Sequence, residues 1–406
     1  MYFKACRWLF IRKIFSFSAA VLLLGNANAI AAPAKPQPQE FPVNPLELKT
    51  NDPLLPATSP PTAAEQQKLD RALDELASRA QAQFNAGDKP GAFATWNREL
   101  RLRRVLGLPA ETQALGRVGA IAWSENERLQ VQFITQRLNT IWQQTKAQPS
   151  PDLQFLSTLG YAFQQVRVPQ SAIEVYTQIL NLQRQQQNPA AIENTLQTIA
   201  ELHLSWFDYP QAIASYNELL NIAKVNRDRP KEVSYLQQLA YIYDRAKQYK
   251  EAAATKEQLL AIYQQQNLVN EIPQLQLAIA SDYQALGQPT QAFTSYQSAY
   301  TSAWASEQFF LAGDALRKLI DLYSSQNQTE AALQTSQILL QADEQAANAY
   351  GMMNTYDRIG QLNLKLGRYP EALSAFQSGL ELAKQLQYQE EYFTGQIAQV
   401  NQRAPK

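Results

Sequence analysis

The chain of 406 residues has one cysteine, Cys6, and one histidine, His203. A lone thiol close to the N-terminus forms no internal disulfide and no thiolate metal site, so stability has to come from side-chain packing. The sequence contains no phosphate-binding G-x-x-x-x-G-K-[ST] loop, no G-x-G-x-x-G, no G-x-S-x-G and no H-E-x-x-H. That removes the nucleotide, hydrolase and zinc-protease chemistries that short motifs announce. An excess of either charge is lacking too, since 36 Lys and Arg stand against 36 Asp and Glu. No basic run follows the N-terminus, so the electrostatic footprint of a nucleic-acid binder is missing.

Long apolar runs are confined to one place, Ile14 to Leu24. Lys4, Arg7, Arg12 and Lys13 precede this run and Ala27-Asn28-Ala29 follows it, the layout of a secretory signal peptide over residues 1–29 with cleavage after Ala29. The run is shorter than the roughly 20 residues of a spanning helix. Cleavage would remove Cys6 and those four basic residues, leaving 32 basic against 36 acidic side chains and a net charge of −4. The expected location is the periplasm, or the thylakoid lumen in a cyanobacterium.

Residues 30–62 read as a proline-rich linker, because nine of the 21 prolines lie between Pro33 and Pro61 and proline favours an extended, donor-poor backbone. A second reading stays open there: Phe41, Leu46, Leu48, Leu54 and Leu55 give the segment the means to lie as a strap on a folded body. From residue 63 onward apolar residues recur at three and four with Gln, Glu and Lys between them, the pattern of helix.

The helical region repeats. Phe207 to Tyr216 reads FDYPQAIASY and Gly367 to Phe376 reads GRYPEALSAF. Ala172, Ala212, Ala252, Ala292, Ala332 and Ala372 follow one another at steps of 40, and after Gln132 the series resumes at Ala92. Four residues after these positions come Trp96, Tyr176, Tyr216, Lys256, Tyr296, Ser336 and Phe376; nine before them come Trp123, Phe163, His203, Tyr243, Tyr283, Tyr323 and Asn363. Pro90, Pro169, Pro210, Pro289 and Pro370 mark the exit of a turn, where a helix start needs no N–H. Each unit is therefore helix, turn, helix, with the small residue where two helices cross and the aromatic filling the space between one hairpin and the next. A lone hairpin cannot bury both faces, so about eight of them must stack over residues 63–387, closed by a capping helix and tail at 388–406. His203, in a column of Phe and Tyr, reads as packing, and so do Trp123, Trp206 and Trp304.

The stretches LGYAFQQVRVPQSAIEVY (Leu159 to Tyr176) and IGQLNLKLGRYPEALSAF (Ile359 to Phe376) resemble the tetratricopeptide repeat in their Leu-Gly or Ile-Gly pair, small crossing residue and following aromatic. The resemblance implies an all-α, right-handed superhelical solenoid of stacked antiparallel helix pairs, here with a 40-residue period instead of the family's 34. It also implies a non-enzymatic scaffold without a cofactor, which holds a partner protein along the concave face lined by the first helix of each pair. Carried over by phase, that groove consists of Gln154, Tyr161, Gln165, Gln197, Glu201, Gln237, Tyr241, Asp244, Arg245, Ser281, Gln284, Arg317, Asp321 and Gln361, with no Lys/Asn/Arg cluster of the kind that clamps a peptide carboxylate.

Asp314 and Asp321 share a helix face and Asp357 follows one unit later, a trio of hard oxygen ligands suited to a divalent cation such as Mn²⁺ or Ca²⁺; Arg317 between them offers an ion pair instead. In overall architecture the chain is similar to exported cyanobacterial tetratricopeptide factors that assist photosystem II assembly. A periplasmic assembly factor that binds manganese is accordingly the alternative to the plain scaffold, with an enzyme accessory subunit as a third reading.

Overall fold

The structure is a computed structural model that describes residues 42–49, 51–56 and 60–403. The signal-like segment 1–29 and Phe41 lie outside the described residues. The chain divides into a unit of residues 1–44 and a unit of residues 45–406. The first unit contributes only Pro42, Val43 and Asn44 to the described residues. The second holds all the helices among them.

These are α1 (Ala63–Asn85), α2 (Lys89–Arg103), α3 (Leu108–Ser124), α4 (Arg128–Lys146), α5 (Leu153–Gln165), α6 (Pro169–Gln185), α7 (Pro189–Ser205), α8 (Tyr209–Asn226) and α9 (Arg229–Arg245). They continue as α10 (Tyr249–Gln265), α11 (Ile272–Ala285), α12 (Pro289–Ala305), α13 (Phe309–Ser325), α14 (Thr329–Gln345), α15 (Ala349–Lys365), α16 (Tyr369–Leu386) and α17 (Glu390–Arg403). Among the described residues there is no strand. Sixteen of the helices form eight stacked hairpins, and α17 closes the row with Phe393 and Val400 buried against it.

The helices start where local chemistry favours it. Thr62 and Glu65 form a reciprocal capping box at α1, and Asp88, Asp152, Asn188, Asp208, Asp228 and Asn348 each accept a hydrogen bond from a first-turn N–H. They stop at a recurring turn in which one residue takes positive φ and two backbone bonds close back on the helix. At the end of α5, Arg167 (φ 58°) donates to the Gln164 carbonyl at 3.0 Å and Val168 to the Phe163 carbonyl at 3.0 Å, the Schellman arrangement. It returns at Gln187, Phe207, Arg227, Lys247, Asn267, Gly287, Glu307, Asn327, Ala347, Gly367 and Gln387.

From α6 to α16 the backbone therefore repeats every 20 residues, and only α11 starts late. The turn inside a hairpin and the turn between hairpins have the same form. The six residues beyond a 34-residue unit are taken up in the helices, most of them 17 residues long between three-residue turns.

Ala92, Ala172, Ala212, Ala252, Ala292, Ala332 and Ala372 are all fully buried. Gln132 is exposed and does not belong to that column. The turn after α3 closes at Asn126 (φ 59°), one residue early, so α4 begins at Arg128 and the half-buried Val131 takes the crossing position. A longer connection, residues 147–152, restores the phase before α5.

The aromatic column serves both within and between hairpins: the Tyr176 ring lies on Gly160 and the Phe376 ring on Gly360, each inside its own hairpin, while Tyr216 meets Tyr235 of the next. The Leu-Gly and Ile-Gly pairs leave room for those rings. Trp123 and Trp206 are not core residues at all, being 50% and 56% exposed; they sit at or next to helix C-termini, where the chain turns out of the stack. Trp304 does pack, against Tyr300 and Phe309. His203 is partly buried, with its Nδ1 3.1 Å from Asp208 Oδ2.

Of the two readings of the proline-rich segment, residues 45–49 and 51–55 follow the strap. Leu46 enters the core beside α2 and α4, and Leu54 packs on the cluster of Leu69, Leu73, Leu76 and Leu102. The Arg98 guanidinium donates Nε and Nη2 to the Asp52 carboxylate at 2.7 and 2.9 Å and holds that carboxyl below its ordinary range. Arg101 Nη1 donates to the Pro45 carbonyl at 2.6 Å.

Candidate partner-binding face

The first helices α3 and α5 lie directly against each other, as do α11 and α13. Gly116 on α3 permits this, since a β-carbon there would collide with Gln165 and come 3.1 Å from the Ala162 β-carbon.

Along the first-helix face the sequence-derived positions separate into two groups. Gln154, Tyr161 and Gln165 line a cleft of about 850 Å³ bounded by α1, α2, α3 and α5. Tyr161 is 57% exposed and Tyr241, two hairpins on, 52%. Between them Gln197 and Glu201 are exposed and hydrogen-bonded to each other at 2.9 Å. Gln237 is exposed and donates its amide to the Tyr263 hydroxyl at 2.9 Å, and Arg245 is exposed.

The remaining positions serve the stack. Asp244 accepts from Lys256 Nζ at 2.7 Å, and the same ammonium reaches Asp282 at 2.8 Å, joining α9, α10 and α11. Burial pushes Asp282 up to about 6, even though the Lys256 cation pulls the other way. Ser281 and Gln284 both bond the Tyr296 hydroxyl, at 3.3 and 2.8 Å. Arg317 bridges Asp314 and the buried Asp343, each at 3.1 Å. Asp321 pairs with Arg358 at 2.8 Å, and Gln361 reaches Gln396 of the capping helix at 3.1 Å. Among the sequence-derived positions, the exposed tyrosines therefore lie on α5 and α9, while those on α11 to α15 bond to neighbouring helices.

Asp314, Asp321 and Asp357 do not converge. They are occupied separately by Arg317, Arg358 and the Tyr392 hydroxyl, and no group of three acidic, His or Cys side chains suited to a metal ion occurs among the described residues. Asp314 and Asp321 share α13 and Asp357 stands on α15, and each carboxylate has its own partner.

Phase-based reasoning missed the N-terminal wall of the cleft: Asp74 on α1, Glu99 and Arg103 on α2, and Thr112, Gln113 and Arg117 on α3. Glu99 is wholly buried and takes Arg117 Nη2 on both oxygens at 2.7 Å and Arg103 Nε at 3.2 Å. Arg103 also reaches Asp70 at 2.7 Å and Asp74 at 2.6 Å. A buried carboxylate is stable only when so paired. The early turn at Asn126 shifts the phase, so that counting back by 40 from α5 lands one residue off on α3.

Residues 207–265 match the tetratricopeptide repeat family model. No curated protein matches the chain. Among solved structures, aspartyl phosphate phosphatase F from Bacillus subtilis is 16% identical, with 68% of this chain and 75% of that one covered and a TM-score of 0.38. A Podosopora anserina putative kinesin light chain with nearly identical TPR-like repeats is 18% identical, covering 48% and 96%, with a TM-score of 0.35. BtubC from P. vanneervenii is 18% identical, covering 53% and 91%, with a TM-score of 0.36.

Proposed function

Because the chain is a tetratricopeptide-repeat solenoid, we propose that it acts as a protein-interaction scaffold, performs no chemistry of its own, and holds a partner polypeptide along the first-helix face of its N-terminal half. The observation that carries this reading is the 850 Å³ cleft that the exposed Tyr161 lines, with Tyr241 equally exposed on a first helix two hairpins further on. Tyrosine brings large contact area at low rotamer cost and a hydroxyl for the partner's backbone. We also propose export, on the signal-like sequence of residues 1–29, so that the partner is an envelope or lumen protein. N-terminal sequencing of the protein recovered outside the cytoplasm should begin near Ile30; retention of Met1 there rejects that part.

The groove is tested by capture of partners from the native envelope with wild type, with Tyr161→Ala plus Tyr241→Ala, and with Asn181→Ala plus Asn221→Ala on the exposed surface of α6 and α8. The tyrosine variant loses the partner while keeping wild-type helicity and melting, and the asparagine variant keeps it. The reverse pattern moves the binding site to the second helices.

A further inference from the structure

The cleft between α1 and α5 carries chemistry beyond shape. Its lining carries three carboxylates, Asp74, Glu99 and Asp152, and two guanidiniums, Arg103 and Arg117. The local balance is one negative charge, unlike the neutral average of the sequence. Glu99 has both oxygens engaged by arginine. The Asp74 side chain remains 69% exposed while one of its oxygens meets Arg103, and Asp152 uses one oxygen to cap the Gln154 N–H at 3.0 Å. Each of these two therefore retains an oxygen for a ligand.

A second observation is independent of the acidic groups. Thr112 lines the cleft, is wholly buried, and its hydroxyl has no hydrogen-bond partner. Other helical threonines, such as Thr145 at 2.8 Å and Thr158 at 3.1 Å, donate to the carbonyl four residues back, a bond that Thr112 and Thr135 do not make. An orphaned hydroxyl in a cleft offers lone pairs to an incoming N–H donor. Phe155, Ala114 and Ala162 supply an apolar strip beside it, the surface along which a long basic side chain lays its methylenes.

We propose that this cleft is the anchoring pocket for a lysine or arginine side chain of the bound polypeptide. The cation pairs with Asp74 and Asp152 and donates to Thr112 Oγ1, while Gln154 and Gln165 are left for the partner's main chain. A volume of about 850 Å³ suits a side chain with its flanking backbone. The inference rests on the first-helix face being the binding surface, and it specifies what that surface selects.

The test is fluorescence anisotropy at low salt with the full chain and labelled short peptides of alternating alanine and lysine, or of alanine and glutamate. The lysine peptide binds, more weakly as salt rises, and the glutamate peptide does not. Asp74→Asn with Asp152→Asn weakens the lysine peptide about tenfold or more, the scale of hydrogen bonds to a charged group; asparagine keeps the α5 cap, so the fold is preserved. Thr112→Val separates binding from structure: it removes a buried unsatisfied hydroxyl, so melting rises while lysine-peptide affinity falls several-fold. Equal binding of the two peptides, or unchanged affinity in the double variant, overturns the proposal. If the double variant still captures the native partner and the Tyr161, Tyr241 variant does not, the groove stands and the cation pocket falls.

Discussion

The Phe376 ring lies so close over Gly360 that a β-carbon on that glycine would stand 2.5 Å from Cε1 of the ring. The α15–α16 crossing is built on this missing methyl. Gly360→Ala should therefore lower stability by about 1 to 3 kcal/mol through forced overpacking. Gly395→Ala in α17, where nothing lies within 4 Å of the added carbon, should raise it by about 0.5 to 1 kcal/mol as a helix-interior glycine is replaced. Urea unfolding of the two variants checks the pair, and a matching sign would show that the ring does not enforce the glycine.

A second comparison concerns the crossing column and its slip. Ala252→Phe places a large side chain where none fits and should cost about 1 to 3 kcal/mol. Gln132→Leu, at the position that counting by 40 puts in the same column, should change melting little because that side chain is exposed. Comparable losses in both would return Gln132 to the core and remove the early turn at Asn126.

The turns give a prediction that contacts alone do not. Ala347 holds φ 51°, a conformation that costs a residue with a β-carbon about 1 kcal/mol, so Ala347→Gly should stabilise or at least not weaken the protein. Gly367→Ala, at φ 71°, should destabilise by about 1 kcal/mol. Thermal melts of both single variants read this directly.

Asp282 supplies a pH dependence. Its carboxyl is raised from 3.8 to about 6 by burial, so the folded state holds a proton that the unfolded chain releases. Its contribution to stability is fully present below about pH 4 and is lost as pH rises through about 6. Asp282→Asn removes that titration. The melting temperature of wild type relative to this variant should therefore rise as pH falls from 7 to below 5. A constant difference across that range would mean that Lys256 keeps the carboxylate ionised throughout.

Much of the architecture was legible in the sequence because small residues at the helix crossings and aromatics four residues on recur at buried positions. Ala252 and Phe376 are tied to packing, and packing leaves a periodic trace. The turns left almost none: their left-handed positions carry Arg167, Phe207, Lys247, Glu307 and Gln387 as readily as Gly287 and Gly367, because the geometry is imposed by the helices on either side. Hence the 20-residue step of the backbone lay hidden beneath a 40-residue step of side chains. For the candidate face, exposure of Tyr161 and Tyr241 followed from phase. The commitment of Asp244, Arg317 and Gln361 to neighbouring helices did not, since it depends on partners 12 to 35 residues away: Lys256, Asp343 and Gln396 of the capping helix.

Two periods in one chain, one for the backbone and one for the side chains, set a rule for how such a protein can change length. Removing 20 residues would splice one helix end onto another identical turn, and the main chain would close without strain. Every later helix would then exchange its place, with first helices facing out and the buried alanines brought to the wrong side of each crossing. Removing 40 leaves inside and outside where they were. Among descendants of this sequence, gains and losses between α6 and α16 should come in whole hairpins, and a half-step should survive only at an end, where α17 already stands as a helix without a mate.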